Sequence, residues 1–283
     1  MPSLAGAAVA LLRWLEYVGL IGVIGIFVVR RLAAISPRIG WARPPMQFAL
    51  AAAFVGGLGV VGAEAVGAAG SPSGALSYLF GGPDGWVRVA RLIAEGGALA
   101  FCVLGRPLVA PLALFAAAAL AFAGHAAALQ PTPGAIFAAA LHVLSAGVWA
   151  GGIMALATVR PPAGWCEEEG RSLLRRFGRV ALIAFAITAM TGVLEATSAL
   201  SLPTDLWTTT YGLVLSAKSI GVLAMLVLSA LTWRRGFGPV RLEAGFAILV
   251  LAATAVLAAT PFPPSRDGGG TVAARAADVS VRP

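Results

Sequence analysis

The sequence predicts an all-α fold, a polytopic membrane protein built as a bundle of eight transmembrane helices. Three observations carry this. Of 283 residues, 59% are hydrophobic and only 11% are charged, against about 25% charged in a typical soluble domain. The mean hydropathy is +0.89. The apolar residues fall in runs of about 20, the number that crosses a hydrocarbon core about 30 Å thick at 1.5 Å per helical residue. This composition excludes an ordinary cytoplasmic enzyme, an intrinsically disordered chain and a coiled coil. It also excludes an outer-membrane barrel, whose strands alternate apolar and polar residues. Runs such as PLALFAAAALAFAGHAAAL at 111–129 do not alternate. Only helices then satisfy the backbone in lipid.

The expected spans lie near 8–30, 46–66, 87–104, 108–128, 135–158, 177–199, 211–232 and 242–261. The first is read as a retained helix and not a cleaved signal, because Arg30-Arg31 follows its apolar run instead of preceding it. Breakers separate the spans: Ser36-Pro37, Arg43-Pro44-Pro45, Ser71-Pro72, Gly81-Gly82-Pro83-Asp84-Gly85, Pro131-Thr132-Pro133, Pro161-Pro162 and Pro239. The longest connection, near 67–86, is too short for an inserted soluble domain. Residues 1–261 therefore read as one eight-helix transmembrane domain, and 262–283, with no apolar period, as a disordered tail.

The net charge of +8 raises the question of nucleic acid, and the placement of the charges answers it. Thirteen of the 20 basic residues fall in odd-numbered loops, as in Arg30, Arg31, Arg38 and Arg43, or Arg160, Arg171, Arg175, Arg176 and Arg179. The positive-inside rule puts those loops in the cytoplasm and both termini on the outer face. Trp14, Trp86 and Trp207 then mark outer edges, and Trp41, Trp165 and Trp233 inner edges, as an aromatic belt does. Trp149 falls mid-span. The basic charge sets orientation and meets anionic headgroups, and no nucleic acid is expected.

Ionisable residues inside spans cost about 2.5–3.5 kcal/mol each on insertion scales, so each needs a reason. They are Arg13, Glu16, Glu64, Arg91, Glu95, His125, His142, Glu195 and Lys218, mostly in the outer halves of their helices, as around a vestibule open to the outer face. Arg13 with Glu16 (i, i+3) and Arg91 with Glu95 (i, i+4) have the spacing of self-paired helix charges. Lys218 has the choice of snorkelling outward or pairing with Glu195 or Asp205. His125 and His142 are the two histidines of the chain. They sit on adjacent antiparallel helices, about 5 and 10 Å below the outer boundary, with small residues beside both. If both face inward they come within reach of one metal ion; otherwise each hydrogen-bonds a backbone carbonyl or a Glu. Neutral imidazole suits copper, zinc, iron or nickel, and a thioether narrows the choice toward Cu(I). Met190 is the nearest thioether in the expected arrangement. Glu64 and Glu195 have the position to orient an imidazole, attract a cation or bind a proton. With two Cys, Cys102 and Cys166, there is no disulfide framework or zinc finger. No Walker loop, dinucleotide fingerprint, Gly-x-Ser-x-Gly or His-Glu-x-x-His occurs, and no enzyme activity is expected. Gly19-x-x-Gly22-x-x-Gly25, Gly56-Gly57-x-Gly59 and Gly151-Gly152 permit close helix contact.

Several segments resemble motifs of one family. Gly124-His125-Ala126 resembles a GHA that ends a helix there. Leu141-His142-Val143-Leu144-Ser145-Ala146-Gly147-Val148-Trp149-Ala150-Gly151-Gly152 is similar to its "LHLLAAAVWLGGL". Arg176-Phe177-Gly178-Arg179-Val180-Ala181 resembles "RFSRLA", Thr191-Gly192 its TG, and Thr210-Tyr211-Gly212-Leu213-Val214-Leu215-Ser216-Ala217-Lys218 its "T-YG-LLL-K". Arg241-Leu242-Glu243 and Thr260-Pro261 also fit. The family is CopD, bacterial copper-resistance and copper-uptake proteins of the inner membrane, and the likeness is strongest over 124–264. It implies eight helices, termini on the outer side and copper ion, Cu(I) or Cu(II), as cargo. It gives His125 and His142 the family's motif positions and gives Trp149 a place. A periplasmic CopC-like copper-binding protein is the implied partner, and with no such domain fused here it would be a separate chain or absent. The second helix and its loop, Ala63-Glu64-Ala65-Val66-Gly67-Ala68-Ala69, carry no Met where the family pattern suggests one.

The expectation is therefore copper transport from the periplasm toward the cytoplasm, or copper handling and resistance, through an outward site at His125 and His142. Met190, Glu195, Glu64, Trp149 and Lys218 would lie along the path or support the ligands. Two other readings stand beside it: a haem-binding electron carrier with two axial histidines, and a non-transporting copper sensor or scaffold.

Overall fold

The computed structural model describes residues 4–69, 72–122, 132–200, 202–235 and 240–260. His125, the Gly124-His125-Ala126 motif and the expected tail at 262–283 lie outside the described residues. Among those described, every regular element is helical: α1 (Leu4–Ala33), α2 (Met46–Ala69), α3 (Pro72–Phe80), α4 (Gly82–Val103), α5 (Val109–Ala119), α6 (Thr132–Ala146), α7 (Gly152–Thr158), α8 (Glu168–Ala199), α9 (Asp205–Thr208), α10 (Thr210–Arg235) and α11 (Val240–Ala259). A 3-10 turn, Leu120–Phe122, extends α5, and a π-helical turn, Gly147–Gly151, joins α6 to α7.

The helix ends follow the breakers. α2 begins after Pro44-Pro45, α4 carries Pro83 near its N-terminus with Asp84 in its first turn, and α6 opens at Thr132-Pro133. Proline suits a first turn, where its missing N–H costs nothing. Charge at the ends complements the helix dipoles: Glu168 and Glu169 open α8, and Arg30 and Arg31 close α1.

Among the described residues, six spans are long and apolar enough to cross a membrane: Gly6–Ala33, Met46–Gly67, Pro133–Thr158, Glu168–Ala199, Thr210–Thr232 and Val240–Ala259. The chain is thus an all-α, multi-pass membrane protein. The other two expected spans differ for identifiable reasons. α4 has 22 residues but carries Asp84, Arg88, Arg91 and Glu95. α5 with its 3-10 turn is a shorter apolar helix, Val109–Phe122, and the span expected at 108–128 continues beyond the described residues. α3 and α9 are short helices inside stretches read from sequence as plain connections. α8, at 32 residues, is about 48 Å long. Its first turns, with Arg171, Arg175, Arg176 and Arg179, therefore extend past a 30 Å core.

α1 is central. Leu20, Val23, Ile24, Ile26 and Val29 are buried along it, and it packs on α2, the π turn, α7 and α11. The glycine patterns act as expected. A β-carbon at Gly19 would collide with the Ala53 backbone, one at Gly25 with the Gly151 backbone, and one at Gly56 with the Glu16 backbone. Backbones therefore meet with no side chain between them. α8 and α10 turn Leu182, Ile183, Val193, Leu194, Leu213, Ile220, Leu223 and Val227 outward, as lipid-facing helices do.

The α1–α2 loop and the α7–α8 loop meet on one side. Trp41 Nε1 donates to Glu169 Oε2 at 2.7 Å, and the Trp41 and Trp165 rings contact edge to face at 5.9 Å. Arg176 donates to the carbonyls of Leu32 and Ile35 at 3.0 and 2.9 Å. Two of the arginine-rich loops thus share a face of the bundle.

Candidate metal site between α6, α8 and α10

His142 lies ten residues into α6, about 15 Å along its axis. Opposite it, Thr188, Thr191, Gly192 and Glu195 occupy positions i, i+3, i+4 and i+7 of α8, which places them on one stripe. Gly192 lets the ring approach: a β-carbon there would lie 3.2 Å from His142 Cε1. His142 Nδ1 is 3.1 Å from Thr191 Oγ1. The one hydroxyl proton of Thr191 has two carbonyl acceptors on its own helix, Ile187 at 2.8 Å and Thr188 at 3.1 Å. With that proton committed, Thr191 Oγ1 is an acceptor for an Nδ1–H, and the Thr188 backbone is a second hydrogen-bond partner of the ring; a neutral imidazole has one nitrogen as donor and the other as a lone pair.

One turn deeper, Ser145 Oγ and Thr188 Oγ1 are hydrogen-bonded at 2.8 Å, and Thr188 donates to the Ala184 carbonyl at 2.8 Å. One layer deeper again, Trp149 is 5% exposed and meets Phe185 edge to face at 4.8 Å. The α6–α8 seam thus has two polar layers over an aromatic floor. That floor sits on the π turn, a distortion found often at functional sites.

Glu195 and Lys218 complete the polar region. Lys218, on α10, is within electrostatic reach of both Glu195 and His142, and Tyr211 is within reach of Glu195. Of the two partners offered to Lys218, Asp205 is engaged elsewhere: its Oδ2 accepts from the Leu202 N–H at 2.9 Å.

The other sequence-selected residues are placed differently. Met190 is 61% exposed on the outward surface of α8. Glu64 belongs to a separate group, its carboxylate paired with Arg13 and accepting from Tyr78 Oη at 2.6 Å. Burial and the Glu64 carboxylate push the Tyr78 phenol up to about 12. The Arg88 guanidinium lies 4.3 Å over the same ring. Arg13 is not paired with Glu16 as the i, i+3 spacing suggested. Arg91 does reach Glu95, but it also reaches Glu16 on α1. Among the described residues, no three His, Cys, Asp or Glu side chains cluster as a metal-binding group. Ser145, Thr188 and Thr191 were not selected from sequence. The signal was present: a Thr-x-x-Thr-Gly-x-x-Glu stripe in an otherwise apolar helix.

Residues 171–257 match the family described as CopD, copper resistance protein D. The chain is also similar to the copper transport protein CutJ of Bacillus subtilis (strain 168), 32% identical over 168 residues. That match covers 55% of this chain and 31% of the relative, so the chain spans about a third of the relative's length. No solved structure matches the chain. The family match runs from the first turns of α8 into α11 and includes Thr188, Thr191, Gly192, Glu195 and Lys218, while His125 and His142 lie before it. With these matches on an all-α membrane bundle, the chain is similar to the CopD family over the stretch that runs from α8 into α11.

Proposed function

We propose that this chain moves copper ion across the bacterial inner membrane, from the periplasm toward the cytoplasm. The observation that carries the reading is the His142 imidazole set against Thr191, 3.1 Å away through Nδ1, in a polar seam of the bundle; Nε2 is the nitrogen assigned here to the ion. It packs against Thr191 and Gly192, which lie inside the segment that matches the copper-resistance family. Copper enters from the outer face and is taken by His142 with His125. Glu195 supplies negative charge beside Lys218. α4 and α5 complete eight spans, with both termini on the periplasmic side. The shared face of the two arginine-rich loops supports this orientation. A periplasmic CopC-like protein delivers the ion.

The test is copper uptake by cells and copper binding by purified protein, with both histidines replaced by Ala. Uptake is expected to fall to the level of cells lacking the protein, and binding stoichiometry to drop. Unchanged uptake and stoichiometry would sink the site. A reporter enzyme fused after Pro283 is expected to be active only in the periplasm, and cytoplasmic activity would overturn the topology.

A further inference from the structure

A second polar group lies on other helices, and the reading above does not use it. Glu16 of α1 and Arg91 and Glu95 of α4 converge on Gly57 of α2. Arg91 Nη1 is 3.2 Å from Glu16 Oε1, and Arg91 Nε is 3.6 Å from Glu95 Oε1. The three side chains are 7% (Arg91), 1% (Glu16) and 0% (Glu95) exposed. A β-carbon at Gly57 would lie 3.3 Å from Glu16 Oε1 and 3.1 Å from the Glu95 carboxyl carbon. The missing side chain of Gly57 therefore makes the room in which both carboxyls sit.

The charges here do not balance. The surrounding groups are Arg13 and Tyr17 on α1 and Glu64 on α2. Arg13 and Glu64 pair with each other and contribute no net charge. On the α5 side, the neighbour of Gly97 is the Leu112 side chain. Two carboxylates thus face one guanidinium in a buried setting. Glu16 Oε1, Glu95 Oε1, Glu95 Oε2 and Arg91 Nε are buried there without a hydrogen bond. An uncompensated charge in such a place is costly, and so is each unmade hydrogen bond. One proton removes both problems. It cancels the excess charge and forms an O–H···O bond between two oxygens that otherwise have none.

We propose that Glu16 and Glu95 form a proton-binding site, with one proton shared between two carboxyls on the guanidinium of Arg91. Exchange with the outer face runs along the neighbouring polar groups: Arg13 (17% exposed), Glu64 (29% exposed) and Tyr78 on α3. The site is on α1, α2 and α4, apart from the His142 seam on α6, α8 and α10, and its existence is independent of copper. Where it serves as the coupling ion of transport, that role rests on the function proposed above.

The test is infrared spectroscopy of the purified full chain in lipid, titrated with pH. The wild type is expected to show a protonated carboxyl C=O band that is lost in both Glu16→Gln and Glu95→Gln. Either variant leaves one carboxylate for one guanidinium, so neither needs the proton. Absence of the band from the wild type, or its persistence in both variants, would overturn the proposal. Should one variant fail to fold, the other and the wild type still decide. Copper flux into vesicles under an imposed pH gradient tests the coupling separately. Loss of gradient dependence in Glu95→Gln is expected, and gradient dependence equal to the wild type's would refute the coupling role. If the chain carries no copper at all, the infrared result stands unaffected, so the two readings fail distinguishably.

Discussion

Replacing Gly25 by Ala tests whether α1 is fixed by backbone contact with the π turn. A β-carbon at Gly25 would overlap the backbone of Gly151 and Gly152, and neither can swing aside as a side chain can. Overpacking costs about 1–3 kcal/mol, and contact with rigid backbone belongs at the upper end. Against this, Gly→Ala within a helix gains about 1 kcal/mol of propensity. The net expectation for Gly25→Ala is a loss of about 2 kcal/mol. Gly22, one turn earlier, is the matched control. A β-carbon there meets only Ala49 Cβ and Met154 Cε at 3.8 Å, so Gly22→Ala keeps the helix gain of about 1 kcal/mol. The two variants, chemically the same exchange, should therefore differ by about 3 kcal/mol. Equilibrium unfolding in mixed micelles with increasing dodecyl sulfate measures the gap. If the two variants unfold within about 0.5 kcal/mol of each other, the close approach of α1 to the π turn does not govern packing.

Three further outcomes follow from the geometry. Thr191→Val removes the acceptor for His142 Nδ1–H and should lower copper affinity about 10–100-fold, read by competition with a chromophoric chelator. Thr191→Ser keeps the hydroxyl and should restore it, and equal losses in both would exclude this role. Gly192→Ala presses a methyl against His142 Cε1 and should weaken copper binding while leaving the helical circular dichroism unchanged; wild-type affinity would show that the ring adjusts freely. Tyr78, whose folded phenol is raised from 10.0 to about 12, contributes stability that is full below pH 10 and is lost as pH rises through about 12. Hydrogen exchange or proteolysis at α3 should increase over that window, and Tyr78→Phe should flatten the dependence. An unchanged pH profile in Tyr78→Phe would place the effect elsewhere.

What the sequence makes legible is whatever depends on local composition. Apolar runs and proline breaks mark the helices, because length and backbone satisfaction leave lipid-spanning chains few options. The Gly25 and Gly56 contacts were readable in kind, since only small residues let backbones meet, although their partners were not. Charge pairing was not readable. Arg13 is three residues from Glu16, yet it pairs with Glu64, because α4 brings Arg91 to Glu16. Chain spacing cannot weigh a partner that tertiary packing supplies. The threonines of α8 carry little signal in the sequence because a hydroxyl in a helix usually bonds its own turn. Thr188 and Thr191 do this too, and their remaining lone pairs then face α6. α4 is harder to place from sequence than its neighbours because its buried face carries charge, Arg91 and Glu95.

Trp149 separates a floor from a ligand, and the distinction can be measured. Its ring is buried against Phe185 beneath the Ser145–Thr188 layer, so it bounds the polar part of the α6–α8 seam and leaves the apolar core below. Trp149→Phe keeps an aromatic edge there and should retain copper affinity, with modest loss of stability. Trp149→Ala should cost about 3–5 kcal/mol, the usual penalty for deleting a buried aromatic ring. It should also admit water into the layer that Trp149 now closes. Stability follows from dodecyl sulfate unfolding, and hydration from hydrogen exchange of amides in the π turn. If Trp149→Phe abolishes copper binding with the fold intact, the indole itself is part of the copper site. If affinity holds in Trp149→Phe while exchange rises only in Trp149→Ala, the residue acts by sealing the seam, and copper selectivity belongs to the imidazole and hydroxyl layers above it.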